Sequence, residues 1–104
     1  MLKFNMRYKC YELRACPRHL ARLSADEQNE TVDFVKHYEW NGTECVYSIG
    51  YFWWNDHEPC WEMRFVGDRF CEVDNDDIKP VWAMLKSAYE VLTEWKKEEE
   101  DALN

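Results

Sequence analysis

Apolar and polar residues alternate strictly at the start of the chain. From Leu2 to Cys10 every second residue is apolar, and the positions between them are polar. A period of two predicts a β-strand with one buried face. Pro17 then opens a stretch to about Glu30 that is compatible with helix, and Ser24 begins a capping-box pattern inside it. This stretch predicts either one helix or a short turn followed by another helix.

Residues 31–74 predict four strands joined by three hairpin turns. Asn41 and Gly42 give the strongest two-residue turn signal, residues 55–59 form a longer turn, and Gly67 begins a three-residue turn. In each hairpin the expected register keeps apolar residues on one common face of the sheet. The expected pairs are Trp40 with Thr43, Tyr38 with Cys45, Phe34 with Ile49 and Val32 with Tyr51 in the first hairpin; Trp54 with Cys60, Trp53 with Trp61, Tyr51 with Met63 and Ile49 with Phe65 in the second; and Phe65 with Cys71, Met63 with Val73 and, as an ion pair, Arg64 with Glu72 in the third.

A 3.6-residue period in the C-terminal part of the chain predicts one long helix. Asn75 to Asp77 offer helix caps, and Pro80 is tolerated in a first turn. The apolar stripe of this helix should lie across the apolar face of the sheet. A run of acids follows Lys97, and negative charge is unfavourable at a helix C-terminus, so residues 98–104 are expected to fray. The stripe consists of Val81, Trp82, Leu85, Ala88, Tyr89, Leu92 and Trp95.

Together these elements predict a single α+β domain over residues 1–104. The expected order is β-α-β-β-β-β-α, with about five antiparallel strands and the long helix packed on one face of the sheet. A chain of 104 residues holds one hydrophobic core. Six Trp, six Tyr and five Phe supply that core, so neither a disulfide nor a metal is required for stability.

Charge is distributed unevenly along the chain, whose formal net charge is −8. The first 23 residues hold six basic residues and one acid, and the rest of the chain holds seven basic residues and twenty acids. An acidic surface repels phosphates, which disfavours direct nucleic-acid binding and favours a basic protein partner. The alternative is that the acids only keep an aromatic-rich protein in solution. The basic residues of the first strand either neutralise acidic neighbours or contact phosphate locally.

The five cysteines are an odd number and follow no signal peptide, because the N-terminal stretch lacks a continuous apolar run. We therefore expect free thiols in a reducing cytoplasm. No segment approaches the roughly 18 apolar residues of a membrane span, so no membrane partner is expected.

Strand parity places Phe52 and Trp54 on the sheet face opposite the helix. Two aromatics beside a charged turn on an uncovered sheet face are typical of a binding patch. The alternative is that residues 17–30 cover this face and bury both aromatics. The charged turn beside them contains Asp56, His57 and Glu58.

Two pairs of Cys and His, each three residues apart, supply the ligand types of a tetrahedral zinc site. They are Cys16 with His19 and His57 with Cys60. Their spacing is not that of a known zinc finger and a Pro lies inside each pair, so we favour two unrelated loops and expect no cofactor.

Catalytic motifs are absent from the sequence. It contains no Gly-rich phosphate loop, no G-x-S-x-G and no H-E-x-x-H. His37 shares its predicted face with Asp33 and Glu39, a pattern typical of a solvated strand face. We therefore expect a protein that is not an enzyme.

The leading functional hypothesis is a protein-binding inhibitor or adaptor with a basic partner. In a finer form the chain mimics nucleic acid and blocks a nucleic-acid-binding protein, as some small phage-encoded anti-defence proteins do; that comparison rests on size and charge. The alternatives are a small-ligand domain with a pocket between sheet and helix, and a structural homo-oligomer, such as a homodimer, that buries Phe52 and Trp54 against a second copy. The carboxylates expected to stand in for phosphates include Asp74, Asp76, Asp77, Glu94 and Glu98.

Overall fold

The computed structural model describes residues 3–17 and 30–103, which form a five-stranded antiparallel sheet and one long helix. The predicted α+β class is confirmed. The strands pair in the order β1-β2-β3-β4-β5, so each strand lies beside its neighbour in sequence. The elements are β1 (Asn5–Tyr8), β2 (Tyr11–Pro17), β3 (Glu30–Trp40), β4 (Thr43–Asn55), β5 (Cys60–Phe65), 3₁₀ turns at Arg69–Glu72 and Asn75–Asp77, and α1 (Ile78–Leu103).

The strand β2 is missing from the sequence prediction because the alternation restarts after residue 10. Lys9 and Cys10 form a tight turn between Tyr8 and Tyr11, and Lys9 has a φ of 51°. This left-handed conformation costs a non-glycine residue about 1–2 kcal/mol. Lys9 Nζ forms an ion pair with Asp77 Oδ1 at 2.7 Å, which ties the turn to the start of α1 and helps to offset that cost.

The predicted helix between Pro17 and Glu30 lies largely outside the described part of the chain. Pro17 is the last residue of β2 and Glu30 is the first residue of β3, so both ends of that stretch are strand. Residues 18–29 are not described.

A β-bulge at Ile49 displaces the register of β4. Val35 pairs with Ser48 and Phe34 pairs with Gly50, which leaves Ile49 without an opposing residue on β3. The predicted pairing of Phe34 with Ile49 is therefore wrong, although the predicted register holds near the turn. There, Trp40 pairs with Thr43 and Tyr38 pairs with Cys45.

The bulge reverses the faces of the residues that follow it on β4. Phe52 is 2% exposed inside the core, and the ring of Trp54 packs edge-on against Trp61 with 5.6 Å between centroids. Both aromatics lie on the α1 side, so their predicted position on the opposite face is wrong. Pairing with β5 is shifted in the same way, because Phe52 pairs with Met63 and Cys60 pairs with Asn55.

Gly50 lies where the β5 backbone leaves no room for a side chain on β4. A Cβ atom at this position would overlap the carbonyl oxygen of Arg64 and would lie 3.2 Å from the Cα atom of Phe65. The close packing of these two strands beside the bulge therefore requires glycine.

The predicted third hairpin is wrong, because residues 69–72 form a 3₁₀ turn instead of a strand. The ring of Phe70 packs edge-on against Phe65 with 5.0 Å between centroids. This contact closes the end of the core and replaces strand pairing. Arg64, expected to pair with Glu72, instead places its guanidinium 4.5 Å from the ring centroid of Trp53.

The core lies between α1 and one face of the sheet. The indole N–H of Trp61 donates to the carbonyl oxygen of Leu92 at 3.0 Å, a buried hydrogen bond between β5 and α1. The hydroxyl of Tyr11 accepts from the backbone N–H of Asp74 at 3.0 Å, and burial raises the pKa of Tyr11. Each fully buried large apolar side chain contributes about 1.5–3 kcal/mol. The buried cluster contains Tyr11, Leu13, Val32, Phe34, Ile49, Phe52, Trp61, Val73, Val81, Met84, Leu85, Ala88 and Leu92.

The ends of β3 and β4 extend beyond the neighbouring strands. Pairing of β2 with β3 ends at Lys36, and pairing of β5 with β4 ends at Gly50. In the described part of the chain, residues 37–46 therefore have no flanking strand, and we call them the distal hairpin. Trp40 is 67% exposed there.

Among the described cysteines, Cys10, Cys45, Cys60 and Cys71 are free thiols. No helix in the described ranges is long and apolar enough to cross a membrane. The acidic run after Lys97 is helical as far as Leu103, and its expected fraying stays a prediction.

Candidate functional site

The C-terminal half of α1 carries a row of exposed carboxylates. Glu90, Glu94 and Glu98 follow one another four residues apart, which is about 6 Å along the helix axis. Together with Val91 and Trp95 they line a shallow depression of about 340 Å³. We call these five residues the acidic helix face. Sequence reasoning selected Glu94 and Glu98 and missed the other three.

These glutamates are not neutralised within the described structure. No residue among 3–17 and 30–103 forms an ion pair with Glu90, Glu94 or Glu98, whereas Lys96 pairs with Glu99 at 3.6 Å. Like charges four residues apart destabilise a helix by about 0.2–0.5 kcal/mol per pair. A cation bound between them would remove that cost.

Two apolar side chains complete the acidic helix face. Val91 is 50% exposed. Trp95 is partly buried, because its ring lies 6.3 Å from that of Trp61 in the core. An anchored aromatic and an exposed valine among carboxylates are suited to a partner segment that carries both cationic and apolar side chains.

The predicted acids near the start of α1 differ in how available they are. Asp76 is exposed, as is Asp74, whose carboxylate lies 3.9 Å from Lys36 Nζ. Asp77 is 5% exposed and is paired with Lys9, so the prediction that it faces a partner is wrong. About 20 Å of helix axis separates Asp77 from the acidic helix face. The predicted acids therefore do not form one patch.

The turn between β4 and β5 exposes Asp56, His57 and Glu58. The backbone N–H of His57 donates to Asn55 Oδ1 at 3.0 Å, which closes the turn. The aromatics expected beside this turn lie on the α1 side of the sheet, where Lys96 Nζ is 4.8 Å from a ring centroid of Trp54. A binding role for the charged turn stays a prediction, and it no longer includes Phe52 and Trp54.

Some candidate ligands of the zinc site lie outside the described residues. His19 and the side chain of Cys16 are not described. His57 is exposed, while Cys60 is partly buried and burial raises the pKa of its thiol. Among the described residues no group of three or more His, Cys, Asp or Glu could hold a metal ion.

His37 joins two strands through two carboxylates. Its Nε2 lies 2.8 Å from Glu12 Oε1, and its Nδ1 lies 3.1 Å from Glu44 Oε1. Each ring nitrogen of His37 therefore faces a carboxylate oxygen from a different strand. The side-chain amide of Asn5 also donates to Glu12 at 2.6 Å, and the hydrogen bonds from Asn5 and His37 lower the pKa of Glu12.

Both ring nitrogens of His37 lie within hydrogen-bond distance of carboxylates of this chain. Its observed partners differ from Asp33 and Glu39, the acids that share its predicted face. Glu12 is not among the predicted site residues because β2, the strand that carries it, is missing from the predicted fold. The signal was present, since Tyr11, Leu13 and Ala15 alternate with polar residues.

A second concavity lies between β5 and α1. It is an open groove of about 480 Å³ with almost entirely apolar walls. Trp82 and Tyr89, expected in the buried stripe of α1, lie at its margin and are 47% and 42% exposed. We call it the apolar groove; its lining residues are Phe52, Met63, Trp82, Ala83, Leu85, Lys86 and Tyr89.

None of the protein-family models, curated proteins or solved structures compared with this chain matches it.

Proposed function

We propose that this protein is a binding module, an inhibitor or adaptor, whose acidic helix face binds a basic segment of a partner protein. The observation that supports this proposal is the shallow depression lined by two apolar side chains and three glutamates that form no ion pair with residues 3–17 and 30–103. The partner class is the predicted one, and the contact surface keeps the predicted Glu94 and Glu98 but leaves out the predicted residues of the β4–β5 turn.

The charge of this surface favours a cationic partner. Each exposed ion pair contributes about 0.2–1 kcal/mol, so three pairs would contribute about 0.6–3 kcal/mol, or roughly threefold to a hundredfold in Kd. Val91 and Trp95 add contact area that does not depend on salt. We therefore expect binding that weakens with salt without disappearing.

The finer proposal is that α1 imitates one strand of a nucleic acid. Six acids fall between Glu90 and Asp101, a span of about 18 Å, which gives one acid per roughly 3 Å of helix axis. One strand of B-DNA carries one phosphate per about 3.4 Å. Lys96 and Lys97 lie in the same span and reduce the net density to one charge per roughly 4.5 Å. The match supports a nucleic-acid-binding partner, such as the target of an anti-defence protein.

The test is affinity capture from lysate with a variant in which Glu90, Glu94 and Glu98 are all replaced by Gln. The control variant has the same net charge and replaces three exposed glutamates outside this surface. Captured proteins are quantified at low and high salt, and cross-links from Lys97 identify the contacted segment. The control substitutions are Glu39→Gln, Glu58→Gln and Glu72→Gln.

The proposal predicts a basic protein that the control variant retains, that the test variant loses and that cross-links to α1. Equal retention by both variants would contradict it. A DNA or RNA oligonucleotide that displaces the protein from the captured partner supports the nucleic-acid mimic. A partner that binds the oligonucleotide and this protein together rules the mimic out and leaves a plain adaptor.

A further inference from the structure

We propose that the apolar groove binds a small amphipathic carboxylic acid, with its hydrocarbon chain along the groove and its carboxylate at Lys86. The volume of about 480 Å³ lies within the range of small-molecule sites. This inference is independent of the proposed function, because the apolar groove and the acidic helix face share no residue.

The walls of the groove are held in place by the core. Phe52 and Leu85 form its buried part, and both are almost fully buried. The ring of Trp82 packs against Phe65 at 6.0 Å and against Phe70 at 5.2 Å between centroids. A ligand would therefore meet a formed surface, which reduces the ordering cost of binding. Met63 adds an unbranched, adaptable side chain that fits chains of different shape.

One cation accompanies these apolar walls. Among the described residues that line the groove, Lys86 is the only charged one. Within residues 3–17 and 30–103 its ammonium forms no ion pair, although Glu90 follows four residues later. An ammonium without a partner beside an apolar groove complements a ligand with one anionic end and one apolar end.

The acidity of the protein limits the ligand to a single charge. The net charge of −8 repels polyanions, whereas charges farther from Lys86 than about 8 Å are screened at physiological salt. A monocarboxylate therefore gains the contact with Lys86 at little long-range cost. A nucleotide or an acidic peptide would bring further charges towards the acidic helix face.

The test is an NMR titration with octanoate, kept below its micelle-forming range, followed through the methyl signal of Met63. The neutral comparison ligand is 1-octanol, which has the same chain length. Lys86→Met removes the charge and keeps most of the apolar stem, and Lys97→Met is its exposed control on the same helix. Ala83→Trp blocks the groove from an exposed position, and Ser87→Trp is its control one turn later.

We expect saturable shifts at Met63 with both ligands. Lys86→Met should weaken octanoate about threefold to tenfold and leave 1-octanol unchanged. Ala83→Trp should abolish the shifts with both ligands, while both control variants bind like the unmodified protein. The ligand-free Met63 signal in each variant shows that the fold is intact.

Three results would overturn the proposal. One is the absence of saturable shifts at Met63 in a folded protein. Another is an equal effect of Lys86→Met and Lys97→Met on octanoate. The third is a dimer in sedimentation experiments that Ala83→Trp dissociates, because the groove would then be occupied by a second copy of the chain.

Discussion

The two halves of the β3–β4 hairpin contain similar residues in very different surroundings. Beside the Ile49 bulge, β2 and β5 flank the hairpin and α1 covers one face, and both Phe34 and Val35 are almost completely buried. In the distal hairpin the described structure provides neither flanking strand, and Trp40 and Val46 are exposed. In this hairpin the presence of flanking strands, more than residue type, decides which aromatic and β-branched residues are buried in the core.

The substitution expected to separate the two halves most strongly is alanine for glycine. Gly50→Ala places a methyl group against the β5 backbone at the Arg64 carbonyl oxygen, so we expect the free energy of unfolding to fall by about 3 kcal/mol. Gly42 in the distal hairpin has a φ of 77° and open space around it, so Gly42→Ala should cost only about 1 kcal/mol of backbone strain. Urea denaturation of both variants measures the difference, and equal losses would contradict the close approach of β4 and β5.

Threonine for valine comes next in expected size. Val35 is 2% exposed on the sheet face opposite α1. Val35→Thr buries a hydroxyl and should cost about 1–3 kcal/mol. Val46→Thr is the matched change at a 41% exposed position, where we expect a change within about 0.5 kcal/mol. Urea denaturation of both variants measures this difference as a shift of the unfolding midpoint, provided that the slope of the unfolding free energy against urea is the same. Similar midpoints for the two variants would show that Val35 is not enclosed.

Phenylalanine for tryptophan should give a smaller contrast. Trp61→Phe removes the indole N–H that donates to the Leu92 carbonyl oxygen and leaves space in the core, so we expect a loss of about 1–2 kcal/mol. Trp40→Phe at the 67% exposed distal position should change stability by less than about 0.5 kcal/mol. Thermal melts of both variants check the contrast. A Trp61→Phe variant as stable as Trp40→Phe would mean that the buried hydrogen bond contributes nothing.

The smallest expected effect concerns the carboxylate that joins the two halves through His37. Because the pKa of Glu12 is lowered in the folded protein, its ionised form stabilises the fold above the ordinary value of about 4.3. This stabilisation is lost as the pH falls through the folded-state pKa. The melting temperature of Glu12→Gln should therefore lie below that of the unmodified protein at pH 7 and approach it as the pH falls through that folded-state pKa.

Glu39→Gln is the control for this pH series, because Glu39 is exposed in the distal hairpin. It should follow the unmodified protein at every pH. A difference for Glu12→Gln that stays constant from pH 7 to pH 3 would show that the charge on Glu12 plays no part.

Sequence patterns predict those parts of the fold whose causes are local. The turn at Asn41 and Gly42, the alternation of β1 and the period of α1 each depend on neighbouring residues, and each is found in the structure. The turn at Lys9 has a left-handed φ on a lysine, and the contact of that lysine with Asp77, 68 positions away, is not visible in the local sequence. Gly50 beside Ile49 is a local signal for a bulge, because glycine inside a strand often marks one. That signal does not fix which residue is the extra one.

The candidate site follows the same division. Glu94 and Glu98 can be selected from charge alone. Val91 and Trp95 can be assigned to the same surface only when the exposed side of α1 is known. Strand parity alone predicts the wrong face for Phe52 and Trp54, because the single extra residue at the bulge reverses it. A sequence-based prediction of either surface therefore requires the position of the bulge first.

The order of the sheet has a consequence for the speed of folding. Because every strand pairs with its neighbour in sequence, most of the sheet needs only short chain loops to close. The contact between Lys9 and Asp77 is different, since it joins the first hairpin to the start of α1. Docking of α1 before the strands pair would close a loop of 68 positions, whereas docking on the paired sheet closes only the connection between β5 and α1. We expect this docking to be the late step of folding and the early step of unfolding.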